Sequence, residues 1–374
     1  MQLVDLLQLV SAPTFLTWQM VVMIIVGGVL IYLAIAKEYE PMLLLPIGFG
    51  AILTNLPLTG IASDEGLFGI FYNFGIKTEI FPLLLFIGLG AMTDFGPLLE
   101  NPKMAFLGAA GHFGIFATLM LTLILGFGLD EAAAISAIGT MDGPTSIYVA
   151  SILSPHMLAP IAVAAYSYMS LVPIIQPPIM RLLTTDAERK VRMPYSQRKV
   201  SKITKVLFPI VVTIIISLLA PVASPLIATL MFGNLMRESL VVDRLARAAQ
   251  DEIANVTTIF LGLTIGATMT GATFIRFDTL LILALGLFAF VIDMAGGVLF
   301  AKLLYIISGK KFNPLLGAAG ISAFPMSARV VQKVAQEYDY QNFLLMHAMG
   351  ANTAGQLGSV MAGGLLLALI TALV

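Results

Sequence analysis

The chain has 374 residues, 59% of them hydrophobic and only 11% charged, with a net charge of −1 and no cysteine. A mean hydropathy of +0.96 excludes an ordinary soluble domain. The lack of cysteine excludes disulfides, thiolate metal sites, Fe–S clusters and a cysteine nucleophile. Three scattered histidines, His112, His156 and His347, argue against a transition-metal site, and the near-zero charge is silent about nucleic acid.

Residues 1–19 hold no Lys or Arg and carry Asp5. They read as a short amphipathic helix on the membrane surface, not as a secretory signal. Apolar runs near the roughly 20 residues that a crossing needs then predict spans at 20–36, 42–58, 79–96 and 104–127. A broken segment follows at 131–153 and a long helix at 156–183. The stretch 184–205 is strongly polar. Further spans are predicted at 206–223, 224–237, 256–275 and 277–307, then a second broken segment at 313–336 and a last helix at 341–373. The expected fold is thus an all-α polytopic membrane protein with about ten spans and two re-entrant broken hairpins.

Basic residues set the orientation. Arg181, Arg189, Lys190, Arg192, Arg198, Lys199, Lys202 and Lys205 crowd into 181–205, so the loop 184–205 is expected in the cytoplasm. If both broken segments are hairpins, Lys37, Lys103, Arg237, Arg244, Arg247, Lys310 and Lys311 also fall inside, while Lys77 and Arg276 fall outside. Both termini then lie outside. The halves resemble one another: Gly48–Leu53 matches Met231–Met236, Gly88–Thr93 matches Thr264–Thr270, and Gly143–Ser146 matches Phe324–Ser327. Five crossings per half invert the second half relative to the first. This gives a first repeat at 1–183 and a second at 206–374, the secondary-transporter plan whose site lies where the breaks meet.

The segment Gly139–Ser146 places Asp142 beside Gly143 and Pro144. An acid at mid-bilayer costs roughly 3 kcal/mol on insertion scales, and broken backbone survives there only inside protein or beside water. Asp142 reads as a Na⁺ ligand or proton relay, or as the cap of the half-helix opened by Pro144; the two roles are compatible. Asn313 and Ser322 offer neutral oxygens. Arg329 is either a bidentate carboxylate binder, a snorkelling residue or the partner of Glu337. Tyr166 and Tyr168 either hydrogen-bond a polar ligand or pack. Asn352 and Thr353 either complete a Na⁺ shell or allow close helix packing. Asp293 is a second coupling acid or, on balance, a structural hydrogen-bond partner.

Several of these segments carry a family resemblance. Gly139–Ser146, Ala162–Met169, Gln176–Met180, Asn313–Met326 with Ala328–Val330, and Asn342–Gly350 together resemble the β subunit of the sodium-translocating biotin-dependent decarboxylases, which include the oxaloacetate, methylmalonyl-CoA, glutaconyl-CoA and malonate enzymes. The resemblance covers nearly the whole chain. It implies a prokaryotic inner- or plasma-membrane subunit that decarboxylates carboxybiotin, drives Na⁺ outward and consumes a proton. It also implies a biotin carrier protein or domain, a carboxyltransferase α subunit, a small membrane γ or δ subunit and homo-oligomerisation within the complex. This chain has no Met-Lys biotinylation motif, so carboxybiotin has to arrive on a partner. The family's essential acid falls on Asp142, its functional tyrosine on Tyr168, and its second-hairpin residues on Asn313, Gly317, Ser322 and Arg329. On this reading Arg329, Ser322 and Gly317 hold carboxybiotin. Asp142, Asn313, Ser322 and Asn352 bind Na⁺, and Asp142, Tyr168 and Arg329 carry the chemistry. The chain departs from the oxaloacetate branch in lacking an extended N-terminus and in having Ala351-Asn352-Thr353-Ala354 for a Pro-Asn-Val-Ala pattern; its shorter length leans toward the acyl-CoA enzymes. The competing expectation from architecture alone is a Na⁺-coupled secondary transporter, either a Na⁺/H⁺ exchanger or an organic-anion symporter, without decarboxylation. A membrane anchor for a soluble complex is a third, and it would have no need of Asp142.

Overall fold

A computed structural model describes residues 12–194 and 200–373. Most of the expected surface helix at 1–19 lies outside the described residues, as do Arg198 and Lys199. Among the described residues every regular element is helical. The main helices are α1 (Trp18–Ala36), α2 (Pro41–Thr54), α3 (Ile80–Met92), α4 (Phe113–Ile124), α5 (Leu129–Ser136), α6 (Gly143–Leu153), α7 (Leu158–Leu183), α8 (Lys202–Leu219), α9 (Ser224–Ser239), α10 (Ala254–Thr268), α11 (Phe277–Ile307), α12 (Met326–Tyr338) and α13 (Leu345–Leu373).

Five segments are long and apolar enough to cross a bilayer: α1, the stretch Pro102–Ile124 ending in α4, α8, α11 and α13. Two bent pairs raise that number to seven, namely Leu67–Ile76 with α3, at 61°, and the two halves of α7, at 63°. The α7 bend lies between Met169 and Leu171, just before Pro173, whose ring nitrogen cannot donate back to the Met169 carbonyl. The predicted spans at 42–58, 224–237 and 256–275 form helices of 14, 16 and 15 residues. The protein is a multi-pass helical membrane protein. Its outward faces are apolar, as Ile25, Tyr32 and Ile35 on α1 and Ile214, Leu218 and Leu219 on α8 illustrate.

Lipid tails are as apolar as leucine, so helices in a bilayer associate through close backbone approach. Two contacts of that kind tie the halves together. α2 meets α10 at Gly50 and Gly266, where a Cβ on Gly266 would sit 2.8 Å from the Ala51 nitrogen. α3 meets α9 at Gly90 and Gly233, where a Cβ on Gly233 would sit 2.8 Å from the Ala91 nitrogen. Each contact is locked by an asparagine that reaches the frayed end of its partner. Asn55 Nδ2 donates to the Met269 carbonyl at 2.8 Å, and Asn234 Nδ2 donates to the Thr93 carbonyl at 2.9 Å.

Both expected breaks are present. After α5 the chain tightens into a 3-10 turn at Ala137–Thr140, turns left-handed at Met141 (φ 52°), and restarts as α6 with Pro144 in its first turn. The second break is a 3-10 turn at Pro314–Ala319, an unwound stretch through Pro325, then α12. The polar stretch 184–205 opens with a capped turn. Thr185 and Glu188 form a capping box for Asp186–Arg189. Buried Arg189 donates to Thr184 and Asp186 and stacks 4.6 Å from the Tyr338 ring centroid.

Candidate functional site

The two breaks meet against α13. Asp142 occupies the N-cap position of α6 and is 3% exposed. Its Oδ2 accepts from the Thr145 hydroxyl at 2.6 Å and from the Ser359 hydroxyl at 3.2 Å. Ser359 Oγ also lies 3.3 Å from Ser322 Oγ, in the unwound stretch of the second break, and 2.8 Å from the Gln356 carbonyl, so its one proton is shared among these acceptors. One hydroxyl on α13 therefore bridges both breaks. Around it, Ser146 Oγ accompanies the Asp142 carbonyl at 3.0 Å and Thr140 Oγ1 lies 3.4 Å from Ser146 Oγ. Asn352 donates to the Ile321 carbonyl at 2.7 Å, which fixes the backbone next to Ser322, and its own buried Oδ1 has no partner. The α6 N-terminus favours negative charge, and the cap position is compatible with ligand duty. A carboxylate, three hydroxyls and an amide oxygen are the donors a small hard cation takes. Among the described residues no three His, Asp or Glu side chains gather as a transition metal would require.

Of the residues singled out in the sequence, Asp142, Ser322 and Asn352 thus come together. Ser359 and Thr145 join them without having been expected, since serines and threonines occur throughout the helices and nothing in their spacing marks these two. Asn313 carries a structural tie: its Oδ1 accepts from the Leu315 nitrogen at 2.9 Å and its Nδ2 donates to the carbonyls of Val191 at 2.8 Å and Arg189 at 3.1 Å. Its polar atoms are occupied in pinning the second break to the 189–191 segment. Gly317 sits against α11, where a Cβ would lie 2.7 Å from the Val298 nitrogen, so close backbone contact requires glycine there. Gln176, within the Gln176–Met180 motif, donates to the carbonyls of Ala318 and Ser327 and so holds both arms of the second break.

The two tyrosines separate. The Tyr168 hydroxyl donates to the Leu283 carbonyl on α11, and its ring stacks on Phe290 with centroids 6.5 Å apart. The Tyr166 ring lies against Gly143, next to Asp142, where even a Cβ would collide with it. Its hydroxyl is buried and without a partner. Arg329 is exposed on α12, and its side chain has no hydrogen bond or ion pair among the described residues. The expected rival partner Glu337 belongs to Arg181 at 2.6 Å. The Thr353 hydroxyl donates to the Gly350 carbonyl at 3.1 Å. Asp293 is fully buried, and its Oδ1 accepts from the Gly114 nitrogen at 2.5 Å, in the first turn of α4. It caps that helix from α11, as its structural reading anticipates, with Oδ2 left unpartnered.

Fold and cluster together define a multi-pass helical membrane protein with a buried acid set between two helix breaks. Comparison with known proteins gives the particular family. Residues 19–370 match the family model of the Na⁺-transporting oxaloacetate decarboxylase beta subunit. The chain is 54% identical to the glutaconyl-CoA decarboxylase subunit beta of Acidaminococcus fermentans, covering 95% of this chain and 94% of that one. It is 53% identical to the methylmalonyl-CoA decarboxylase subunit beta of Veillonella parvula, over 94% of this chain and 93% of that one. It is 47% identical to the oxaloacetate decarboxylase beta chain of Klebsiella pneumoniae, over 94% and 95%. The chain belongs to this family of membrane subunits of Na⁺-transporting decarboxylases, which work within multi-subunit complexes. The family decides between the decarboxylase reading and the plain secondary transporter, in favour of the first.

Proposed function

We propose that Asp142, Thr145, Ser322, Ser359 and Asn352 form the Na⁺ site of a carboxybiotin-decarboxylating pump, and that the ion and a proton compete for the Asp142 carboxylate. The observation that carries this reading is the Ser359 hydroxyl, which reaches Asp142 on one break and Ser322 on the other. A cation held there ties the breaks together; a proton on Asp142 removes the charge that holds the cation. Arg329 takes the carboxylate of carboxybiotin, because its guanidinium has no protein carboxylate beside it. Tyr166 is added to the site, and Tyr168 acts from one helical layer away by fixing α7 to α11. Asn313 and Gly317 act on the position of the second break rather than on the ligands.

The finer architecture belongs to the same proposal: two inverted repeats at 1–183 and 206–374, each with a hairpin. The glycine pairs support it. Gly50 and Gly233 match in the two halves, as do Gly90 and Gly266. On this reading the Gly50–Gly266 and Gly90–Gly233 contacts are the same contact seen from either half. Sidedness has support as well. Lys205 and Arg237, both assigned to the cytoplasm, share one charge network with Asp94 and Glu238 at 3.6–3.8 Å. A shared network is what a common side requires, and it supports the reading with the 184–205 loop inside and both termini outside. The biotin carrier, carboxyltransferase and small membrane subunit are the partners proposed for the complex. Identities of 54% and 53% to the two acyl-CoA decarboxylase subunits, against 47% to the oxaloacetate chain, favour an acyl-CoA substrate for the complex.

The test is decarboxylation of carboxybiotin by the complex in proteoliposomes, with ²²Na⁺ uptake followed in parallel. CO₂ release should depend on Na⁺ and drive uptake, and Asp142→Asn should abolish both. Full Na⁺-dependent turnover in Asp142→Asn would sink the reading.

A further inference from the structure

A second site of a different chemistry lies at one end of the helix bundle. Three candidate spans end together there: Pro102–Ile124 begins beside Lys103, α11 stops three residues before Lys310 and Lys311, and α13 begins two residues before His347. Between these ends opens a cleft of about 640 Å³, lined by those four residues, by Arg192 and Phe312, and by Glu100 as its one carboxylate. Its position at the ends of apolar spans sets it at the depth of the membrane–water boundary.

The charges are arranged for an anion. Lys103, Lys310 and Lys311 are exposed, and none has an ion pair among the described residues. Arg192 is already neutralised by Asp339, at 2.6 Å, so the excess charge comes from the lysines. Two of them stand on a fixed turn. Gly309 and Lys310 are both left-handed, at φ 65° and 67°, a conformation that costs a lysine about 1 kcal/mol or more. Ser308 Oγ holds the turn by accepting from the nitrogens of Lys311 at 3.2 Å and Phe312 at 3.1 Å. His347, 7% exposed, closes the floor with its ring beside the Met193 and Pro194 backbone.

We propose that this cleft binds a phosphate-bearing anion at the bilayer surface. Lysine is a point-charge binder of phosphate, and basic pockets between the ends of membrane helices suit anionic lipid headgroups. The phosphate sits among the three ammonium groups, and an attached glyceryl part packs on Phe312. The site is separate from the Asp142 cluster and does not depend on the ion reading.

The experiment uses the intact chain in nanodiscs of phosphatidylcholine with or without one-fifth phosphatidylglycerol, and measures retained phosphatidylglycerol by native mass spectrometry. A second arm adds inorganic phosphate or glycerol 3-phosphate to phosphatidylcholine nanodiscs and follows thermal protection. At roughly fivefold per lysine, Lys103→Gln, Lys310→Gln and Lys311→Gln combined should weaken binding about a hundredfold. Retention of phosphatidylglycerol that the triple variant loses identifies a lipid headgroup. Protection by free phosphate alone, lost in the same variant, identifies a soluble phosphate; either result supports the site. Binding unchanged in the triple variant overturns it, as does no response to any of the probes. A response only to an acidic protein partner overturns it too. Should the triple variant misfold, the exposed pair Lys310→Gln and Lys311→Gln carries the same comparison, with about a twenty-fivefold weakening expected.

Discussion

Removing one oxygen at Ser359 tests the bridge between the two helix breaks. Ser359→Ala deletes a hydroxyl that is fully buried, so the volume lost is small and the α13 backbone is unaffected. What disappears is a charge-assisted hydrogen bond to Asp142 Oδ2 at 3.2 Å, the contact with Ser322 Oγ at 3.3 Å, and one neutral oxygen for the cation. Hydrogen bonds to charged groups are worth about 1.5–3 kcal/mol, and 1.4 kcal/mol is a factor of ten. The Na⁺ concentration for half-maximal decarboxylation should therefore rise about ten- to hundredfold, with the turnover at saturating Na⁺ much less affected. The assay is initial-rate CO₂ release across a Na⁺ titration in proteoliposomes, with complex assembly checked by size exclusion. Ser322→Ala should give a smaller rise, and the double variant less than the product of the two, because the residues share a contact. A wild-type Na⁺ titration in Ser359→Ala, with the complex intact, would refute the claim that the bridge is part of the ion site.

Three other outcomes follow from the same geometry. Tyr166→Phe keeps the ring against Gly143 and removes only the unpartnered hydroxyl; it should raise the Na⁺ requirement severalfold without lowering thermal stability. Tyr168→Phe should instead cost about 1 kcal/mol of stability by freeing the Leu283 carbonyl; the thermal-unfolding midpoints of the two variants separate the two roles. Asp293→Leu removes the acceptor from the first turn of α4 and should destabilise the chain by about 1–3 kcal/mol, whereas Asp293→Asn, which keeps an acceptor oxygen, should assemble and pump Na⁺. Pumping lost in Asp293→Asn with assembly retained would make Asp293 a coupling acid. Outside the membrane, the hydrogen bond from Arg192 holds the Asp339 carboxyl below the usual carboxylate range. Because the folded value is depressed, the tie is complete above the ordinary aspartate value and is lost as pH falls through the lower folded value; a carboxyl ¹³C titration should show Asp339 moving up toward the ordinary range in Arg192→Gln.

Much of the site was legible because the bilayer makes its signals loud. An acid beside Gly-Pro in an apolar run can only be a break with a purpose, and Asp142 and the second break at 313–336 both lie where that logic puts them. Asn313 shows the limit. Its residue type is right for a cation ligand, but the sequence gives no hint that its amide protons go to Val191 and Arg189 while its oxygen accepts from Leu315, because only the folded path of the 189–191 segment brings those carbonyls to it. Arg329 shows it in reverse: the sequence offered Glu337 as a partner, and the fold assigns Glu337 to Arg181.

By itself the sequence determined that this is a helical membrane protein, where its helices break, which acid lies at the break, and which family it belongs to. Those are properties of composition, local backbone chemistry and motif, and they need no contact between distant residues. The tertiary structure decided which hydroxyls gather at Asp142, that the Tyr166 ring lies against the neighbouring Gly143, and that Asp293 caps α4. Ser359 is 217 residues from Asp142 in the chain, and no periodicity or propensity encodes that separation. It is set by how α13 packs between the two breaks, and that packing exists only once the helices have assembled.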